Sequence, residues 1–316
     1  MNDEQTTVNA LLDIVKHNAD VMRKTHRINT TFRTLSLLAV MGFLGLSVYS
    51  NWSTLTNRNQ PHVAMVRISG EIAPESKTNA DSVIESLRTA FDQNQAKAVM
   101  LEINSPGGTP VQAGMIYDEV LRLKTKHPDK KVVSVISDLG ASGGYYVAVA
   151  GDEIYANRAS MVGSIGVRMD SFGFTGIMQK LGVERRLYTA GKFKGVGDMF
   201  SDPEPEAVQQ LQTMLSHVHH QFIEVVKTHR GNRLKDDPNL FTGMVWSGED
   251  ALGLGLVDGM GDRRSVAEQI LKLQKIVDYT QPVDVFSKLS QVQAAASAAI
   301  STVMSVVSVL AAAPIN

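Results

Sequence analysis

The chain has 316 residues, of which 20% are charged and 43% are hydrophobic, a composition typical of folded globular proteins. Its 31 Lys and Arg residues nearly balance its 32 Asp and Glu residues, so the charge does not favour nucleic-acid binding. The absence of cysteine excludes disulfide scaffolds, zinc–thiolate sites and cysteine nucleophiles. Disordered and collagen-like chains are also excluded, which leaves a folded enzyme or binding domain.

The chain begins with a leader and an uncharged apolar segment. Residues 1–33 repeat apolar side chains at helical spacing, which predicts an amphipathic helix that lies at an interface, associates with itself or has no function of its own. No charge occurs in the 24 residues between Arg33 and Arg58. As a helix, residues 34–52 would span about 28 Å, close to the thickness of a hydrocarbon core. We predict a transmembrane anchor there, rather than a buried core helix or a cleaved signal peptide, and a polar linker at 53–60.

The charges around this anchor predict its orientation. Four basic residues precede it, namely Arg23, Lys24, Arg27 and Arg33, whereas only Arg58 follows closely. Because positive residues stay inside, we expect the N-terminus in the cytoplasm and the rest of the chain on the periplasmic or extracytoplasmic side. The expected location is the inner (cytoplasmic) membrane, with a single span in contact with lipid.

Residues 61–280 alternate β-rich and helical stretches. The predicted strands are His62–Ile68, Lys97–Ile103, Lys131–Ser137, Glu153–Ala156 and Glu184–Tyr188, and the predicted helices are Ala80–Phe91, Val111–Lys126, Glu204–Thr228 and Ser265–Ile276. This order predicts an α/β domain with a largely parallel sheet, whose sites form at the carboxyl ends of the strands. The tail, residues 281–316, is rich in Ala, Ser and Val and uncharged from Leu289 onward. We expect a helix packed on a partner subunit or resting at the membrane surface, with a second span as the alternative.

Two glycine-rich loops follow consecutive predicted strands. In one of them Ser142 begins an apolar helix, whose free amides and positive dipole end favour an oxyanion, and Gly140-x-Ser142-x-Gly144 matches the nucleophile elbow of α/β-hydrolases. The other, Asn104–Gly108, has adjacent glycines that can direct backbone amides toward one point. Ordinary strand-to-helix turns use the same residues, so neither loop alone establishes catalysis.

A nucleophilic serine needs a base, and the residues offer two kinds. His217, His219, His220 and His229 could form a triad with Asp198 or Asp202, although their polar helical stretch is more typical of a solvated face. Lys192 and Lys194 follow the predicted strand Glu184–Tyr188, and either could act as a base if burial lowered its pKa.

Five segments in order resemble the S49 peptidase family, the signal peptide peptidase A group. They are NSPGG (104–108), GASGGYY (140–146), VGSIGV (162–167), AGKFK (190–194) and VWSGEDALGLGLVDGMG (245–261). The similarity extends from about His62 to Ile270 and is to the half-length form of the family. It implies a fold akin to the Clp protease and crotonase group, and ring-like homo-oligomers with active sites facing an enclosed chamber.

The resemblance also implies roles for individual residues. Ser142 matches the nucleophile and Lys194 the general base, chosen over Lys192 by the 52-residue spacing from the serine. Ser164 matches the hydroxyl that orients the lysine. Gly108 and the amide of Gly143 resemble the oxyanion hole, with Gly107 as the fallback. Both members of the Ser–Lys dyad are expected in one subunit, and no metal or organic cofactor is implied.

We therefore expect a membrane-anchored serine endopeptidase that cleaves signal peptides or other membrane-released peptides outside the cytoplasm. The alternatives are an α/β-hydrolase-type esterase with a histidine base, and a non-catalytic crotonase-like membrane scaffold. The leader and the tail are not landmarks of the family, and their roles stay open.

Overall fold

The computed structural model describes residues 58–281 continuously and, before them, residues 22–24, 30, 31, 34–36, 38, 39, 41–43 and 45. The chain divides at Gln60/Pro61 into two units, which are described separately. In the first unit the described residues 22–45 have helical backbone, and the Thr34 hydroxyl donates to the carbonyls of Thr30 and Thr31. Much of the predicted leader, anchor and linker, and the tail from residue 282, lie outside the described residues.

The described part of the chain contains no helix that combines the length and the apolar character needed to cross a bilayer. The transmembrane anchor predicted at 34–52 is therefore not confirmed.

The second unit alternates strands and helices. Its strands are β1 (His62–Ser69), β2 (Ala96–Ser105), β3 (Lys131–Ala141), β4 (Glu153–Ala156), β5 (Met161–Gly163), β6 (Val245–Ser247), β7 (Gly259–Met260) and β8 (Ile276–Asp278). Its helices are α1 (Ala80–Phe91), α2 (Pro110–Lys126), α3 (Gly143–Ala148), α4 (Thr175–Leu181), α5 (Pro205–Arg230) and α6 (Gly248–Gly253), with a 3₁₀ turn at Gly231–Arg233, a helical turn at Arg263–Ser265 and a π-helical turn at Val266–Ile270.

The strands described above form one sheet in the order β6-β5-β3-β2-β1-β8, and β4 and β7 branch from β3. Every pair is parallel except β5–β6, which confirms the predicted, largely parallel α/β sheet. β3 serves both branches, because its segment Val133–Ile136 pairs with β4 and its end Leu139–Ala141 pairs with β5. The chain leaving β3 therefore enters α3 between the ends of β2 and β5.

Apolar side chains cover both faces of the sheet, as is usual where parallel strands are flanked by helices. On β1, Ala64, Val66 and Ile68 belong to the large core shared with the helices, whereas Val63 and Met65 pack on the opposite face. This alternation follows from the two-residue period of a strand. The buried sheet provides a rigid base for the loops at its carboxyl ends.

Two predicted elements are wrong. Glu184–Tyr188 is not a strand, because this exposed segment pairs with no strand among the described residues. The predicted helix Ser265–Ile276 ends after the π-helical turn, where Lys272 adopts φ 57°, and the chain then forms β8 beside β1. In both cases a tertiary contact, or its lack, overrides local propensity.

The end of α5 is fixed by a buried ion pair. Arg230, with 2% of its side chain exposed, donates two hydrogen bonds to the Asp258 carboxylate, at 2.7 and 2.9 Å. Burial works to raise the pKa of Asp258, but the hydrogen bonds from Arg230 and from the Ile154 amide outweigh it and lower that pKa. Nearby, the Tyr145 hydroxyl donates to the Leu256 carbonyl at 2.7 Å. These contacts hold α5 and α3 against the same loop.

Candidate active site

A groove of about 920 Å³ opens at the carboxyl ends of β2, β3 and β5. The two glycine-rich loops singled out in the sequence and the GSIGV segment all contribute to it. Among its lining residues are Gly107, Gly108, Ser142, Gly143 and Ser164. The fold thus brings five of the six predicted site residues to one groove.

Ser142 occupies a strained position between β3 and α3. Its φ and ψ are 51° and −125°, a region that residues other than glycine rarely adopt and that costs about 1–3 kcal/mol. Its N–H donates to the Gly163 carbonyl at 2.8 Å, and its carbonyl accepts from Tyr146 within the helix turn that follows. The half-buried side chain lies at the N-terminus of α3. This geometry is that of a nucleophile elbow.

The backbone amides in and after the loop 105–108 differ in their hydrogen-bond partners. The Gly107 N–H donates to the Ser105 Oγ at 3.1 Å, and the Thr109 N–H donates to the Ile72 carbonyl at 2.9 Å. The Gly108 N–H, between them, has no acceptor among the described residues, and neither has the Gly143 N–H at the start of α3. A Cβ built on Gly143 would lie 3.2 Å from the Gly108 nitrogen, so the two free amides are close neighbours. Two such donors beside a serine can hold an oxyanion.

Gly107 differs from Gly108 in both exposure and role. It is buried, its φ is +93°, and a Cβ on it would lie 2.4 Å from the Gly143 nitrogen and 2.8 Å from the Ser142 Cβ. Because the Gly107 N–H already donates to Ser105, Gly108 is the better candidate donor to an oxyanion. Gly107 has no side chain, which permits the loop to approach Ser142 and Gly143 closely.

Ser164 also has a positive φ, of 50°, and follows the glycine whose carbonyl binds Ser142. Its N–H donates to the Met244 carbonyl at 2.8 Å, which ties it to the segment leading into β6. Its half-buried side chain lines the groove, as the proposed orienting role requires.

Lys194 is not brought to the groove within this chain. It lies on a largely exposed segment, residues 168–203, which we call the arm, and it is not among the residues that line the groove. The arm is held by its own contacts, such as the bond from the Phe174 N–H to the Met199 carbonyl and the stacking of Phe174 on Phe200. Two residues before Lys194, the Lys192 Nζ forms an ion pair with the Glu206 carboxylate at 2.5 Å. The expectation that a single chain holds the complete dyad therefore finds no support in its geometry.

The histidines of α5 do not line the groove either. His219 contacts the Ile165 carbonyl at 3.1 Å, and His229 is hydrogen-bonded to the Tyr117 hydroxyl at 2.5 Å. Burial, with smaller contributions from Lys124 and Arg233, lowers the pKa of His229. The candidate acids Asp198 and Asp202 lie on the arm, outside the groove. The described geometry therefore gives no support to a histidine triad.

The wall of the groove includes residues that sequence reasoning missed. Val218 and Phe222, four residues apart on α5, face it together with Tyr146 and Ala113. Burial raises the pKa of Tyr146, whose ring packs against Phe222 and against Tyr117. The helical spacing of 218 and 222 could have predicted a shared face, but only the fold shows which surface that face meets. The groove is thus lined by apolar side chains of α2, α3 and α5 as well as by the glycine-rich loops.

Two family models match the chain. The model for peptidase family S49 matches residues 124–277, and that for Clp protease matches residues 55–165. Ser142 and Ser164 lie within both matches, Lys194 within the first only and the loop 105–108 within the second only. The matches agree with the α/β fold and with the order of the segments.

Similar proteins carry names of two kinds. A protein of Brucella abortus named "Na(+)/H(+) antiporter NhaA" is 48% identical over 57% of this chain, which covers 24% of that protein. "Protease 4" of Haemophilus influenzae is 32% identical over 72% of this chain and 37% of its own. "Putative protease slr0021" of Synechocystis sp. is 30% identical over 63% of this chain and 69% of its own. The chain spans only about a quarter of the antiporter-named protein, whereas it matches most of the Synechocystis protein.

The match to most of a protease-named relative, the S49 model and the ordered segments agree with one another. The chain belongs to peptidase family S49.

Proposed function

We propose that this chain is a serine endopeptidase in which Ser142 is the nucleophile and Lys194 the general base. One observation carries the proposal: a strained serine at a helix N-terminus lies beside two amides, those of Gly108 and Gly143, that have no acceptor among the described residues. A non-catalytic scaffold has no need of this arrangement, which costs backbone strain and leaves donors unpaired.

The reaction is acyl transfer in two stages. The Ser142 Oγ attacks the peptide carbonyl while neutral Lys194 takes its proton, and the amides of Gly108 and Gly143 stabilise the oxyanion that forms. The C–N bond then breaks, the leaving amine receives the proton from Lys194, and an ester remains on Ser142. Water attacks the ester by the same route, with Lys194 as base, and releases the carboxylic acid. Ser164, on the groove wall, is the hydroxyl that orients the lysine amine.

Lys194 must approach the groove for this chemistry. It lies on the arm, so it reaches Ser142 only if the arm changes position or if the arm of a second copy supplies it. The homo-oligomer expected for the family is compatible with the second route.

The test is cleavage of a synthetic signal peptide by the full chain and three variants. We expect Ser142→Ala and Lys194→Ala to lose at least about 10³-fold in kcat. Lys192→Ala, two residues away and also exposed, should keep most of the wild-type activity. Full activity of Lys194→Ala would refute the lysine base. Failure of a fluorophosphonate to label Ser142 in the folded wild type would favour the scaffold.

Mixing the two inactive variants decides how the dyad forms. If a second copy supplies the lysine, mixed Ser142→Ala and Lys194→Ala chains regain part of the activity, because some sites combine an intact serine with an intact lysine. If each arm serves its own groove, the mixture stays inactive.

We propose that the substrates are extended apolar peptides, such as signal peptides or fragments released from membrane proteins. The apolar wall at Tyr146, Val218 and Phe222 supports this choice, and Glu71 and Arg168 are the charged side chains among the described lining residues. A panel of peptides with Leu, Ala or Asp beside the scissile bond tests it. Equal cleavage of the Asp peptide would argue against an apolar preference.

We also propose that residues 34–52 anchor the chain in the cytoplasmic membrane with the peptidase unit outside. The support is the uncharged segment between Arg33 and Arg58 and the basic residues before it. Because the chain has no cysteine, single cysteines placed at Ser76 and at Thr7 report the two sides through an impermeant maleimide. Labelling in intact cells at Thr7, or its absence at Ser76, would contradict this orientation.

A further inference from the structure

Ser105 is a fully buried serine directly beneath the candidate oxyanion loop, and no role has been assigned to it above. It ends β2 and pairs in register with Gly140 of β3. Its hydroxyl makes two hydrogen bonds at once: it donates to the Gly70 carbonyl at 2.6 Å and accepts from the Gly107 N–H at 3.1 Å. One hydroxyl therefore joins the end of β1 to the loop that follows β2.

This hydroxyl determines which amide of the loop is free. The chain 107–109 offers three consecutive N–H groups, of which that of Gly107 is taken by Ser105 and that of Thr109 by the Ile72 carbonyl. The Gly107 carbonyl accepts from the Ile72 N–H at 2.8 Å. Only the Gly108 N–H stays available, and these neighbours fix its direction.

The glycine that Ser105 holds also packs closely against the residues around the candidate nucleophile, Ser142. Gly107 lies against Ser142 and Gly143 so closely that a Cβ on it would overlap the Gly143 nitrogen. On the other side, a Cβ on Gly144 would lie 2.7 Å from the Ser105 carbonyl oxygen. Ser105 is therefore packed between the loop and the first turn of α3, and a shift of Gly107 would change the separation of the two free amides.

We propose that Ser105 is a positioning residue for the oxyanion hole: its hydroxyl holds Gly107 so that the Gly108 amide converges with that of Gly143. The role rests on the proposed function, since it matters only if an oxyanion forms at Ser142. Without the hydroxyl, the Gly107 N–H loses its acceptor and the Gly70 carbonyl loses its donor, so neither bond any longer holds the loop in place.

Ser105→Ala tests the role, and Ser86→Ala is its matched control. Ser86 is also a buried serine, 1% exposed, whose hydroxyl donates to the Ser82 carbonyl at 2.8 Å and accepts from the Gln281 N–H at 3.0 Å, away from the groove lining. Both variants lose one buried hydroxyl with one donated and one accepted bond, so a merely structural effect should be similar in the two.

The measurements are kcat, KM and the affinities for two inhibitors with one peptide sequence. A peptide aldehyde adds to Ser142 and forms a hemiacetal that uses the oxyanion hole, whereas the peptide alcohol binds without it. Complete loss of one oxyanion donor costs about 10²–10³-fold, so misalignment of one should cost about tenfold. We expect Ser105→Ala to lower kcat and aldehyde affinity by that factor, with KM and alcohol affinity within about twofold. Ser86→Ala should change none of the four.

Other results overturn the proposal in distinct ways. Wild-type kcat in Ser105→Ala, or an equal loss of aldehyde and alcohol affinity, refutes a positioning role while peptidase activity stands. If the alanine variant does not fold, Ser105→Cys keeps the shape with a weaker acceptor, and its kcat must fall in the same direction. A wild-type chain that cleaves no peptide and binds no aldehyde refutes the proposed function, and the positioning role with it.

Discussion

Replacing Gly107 with alanine should disrupt the candidate active site, because the added methyl group would meet both Ser142 and Gly143. The added Cβ would lie 2.4 Å from the Gly143 nitrogen, about 1 Å inside an ordinary contact, and 2.8 Å from the Ser142 Cβ. Both neighbours are backbone or directly attached to it, so they cannot rotate away. A φ of +93° adds a conformational cost of about 1–2 kcal/mol for any L-residue, and overpacking adds about 1–3 kcal/mol. We expect a loss of about 2–5 kcal/mol in the free energy of unfolding.

Two other glycines separate these contributions. Gly231 has φ +50°, and a Cβ added to it would meet no atom of a more distant described residue within 4 Å. Gly231→Ala should therefore cost only the conformational part, about 1–2 kcal/mol. Gly114 lies inside α2 with open space around it, so Gly114→Ala should stabilise the chain by about 0.5–1 kcal/mol.

Urea unfolding and the rate of fluorophosphonate labelling of Ser142 measure the two effects. A displacement of about 1 Å at the Gly143 amide should slow labelling by about 10²-fold, whereas the Gly231 and Gly114 variants should label at the wild-type rate. If Gly107→Ala labels within twofold of wild type, the close approach of this loop to Ser142 is not needed for reactivity, and the oxyanion geometry described above is wrong.

Three further predictions concern the ion pair, pH and the groove wall. Asp258→Asn removes the charge that pairs with buried Arg230 and should cost about 3–5 kcal/mol in urea unfolding; a cost below about 1 kcal/mol would contradict the pair's structural role. Because burial lowers the pKa of His229 in the folded chain, the unfolded chain binds more protons near pH 6, so stability should fall as the pH drops below about 6.5. That fall should be shallower in His229→Gln, and identical pH profiles would refute this origin. Val218→Ser should raise KM for apolar peptides about 3–10-fold at similar kcat, whereas His220→Ser, on the exposed side of α5, should not.

The elements predicted well are those whose pattern is long and regular. α1 has its predicted bounds, Ala80–Phe91, because an Asn cap and a clear apolar face define it locally. β4 likewise has its predicted bounds, and β1 differs by one residue. Buried parallel strands give dense apolar runs between turns, and such runs are visible without the fold.

The short strands cannot be predicted from the local sequence alone. β5, β6 and β7 have two or three residues each and exist because a neighbouring strand offers hydrogen-bonding partners. Composition cannot supply that information, and the same limit explains the wrong strand at Glu184–Tyr188, where suitable residues meet no partner.

The two residues of the proposed dyad also differ in whether the local sequence can predict their positions. The serine half is made by a contiguous turn whose glycines, positive φ and helix start are encoded within a few residues around Ser142. The position of the lysine depends on the arm, where Phe172, Leu181 and Tyr188 expose 74%, 73% and 89% of their surface. So much exposed apolar surface on one segment is typical of a surface that is covered in use. We therefore expect contacts beyond those among the described residues to position the arm. Motif spacing can name Lys194 as the base, but it contains no information about those contacts, and for this reason the mixing experiment on the two dyad variants is the decisive one.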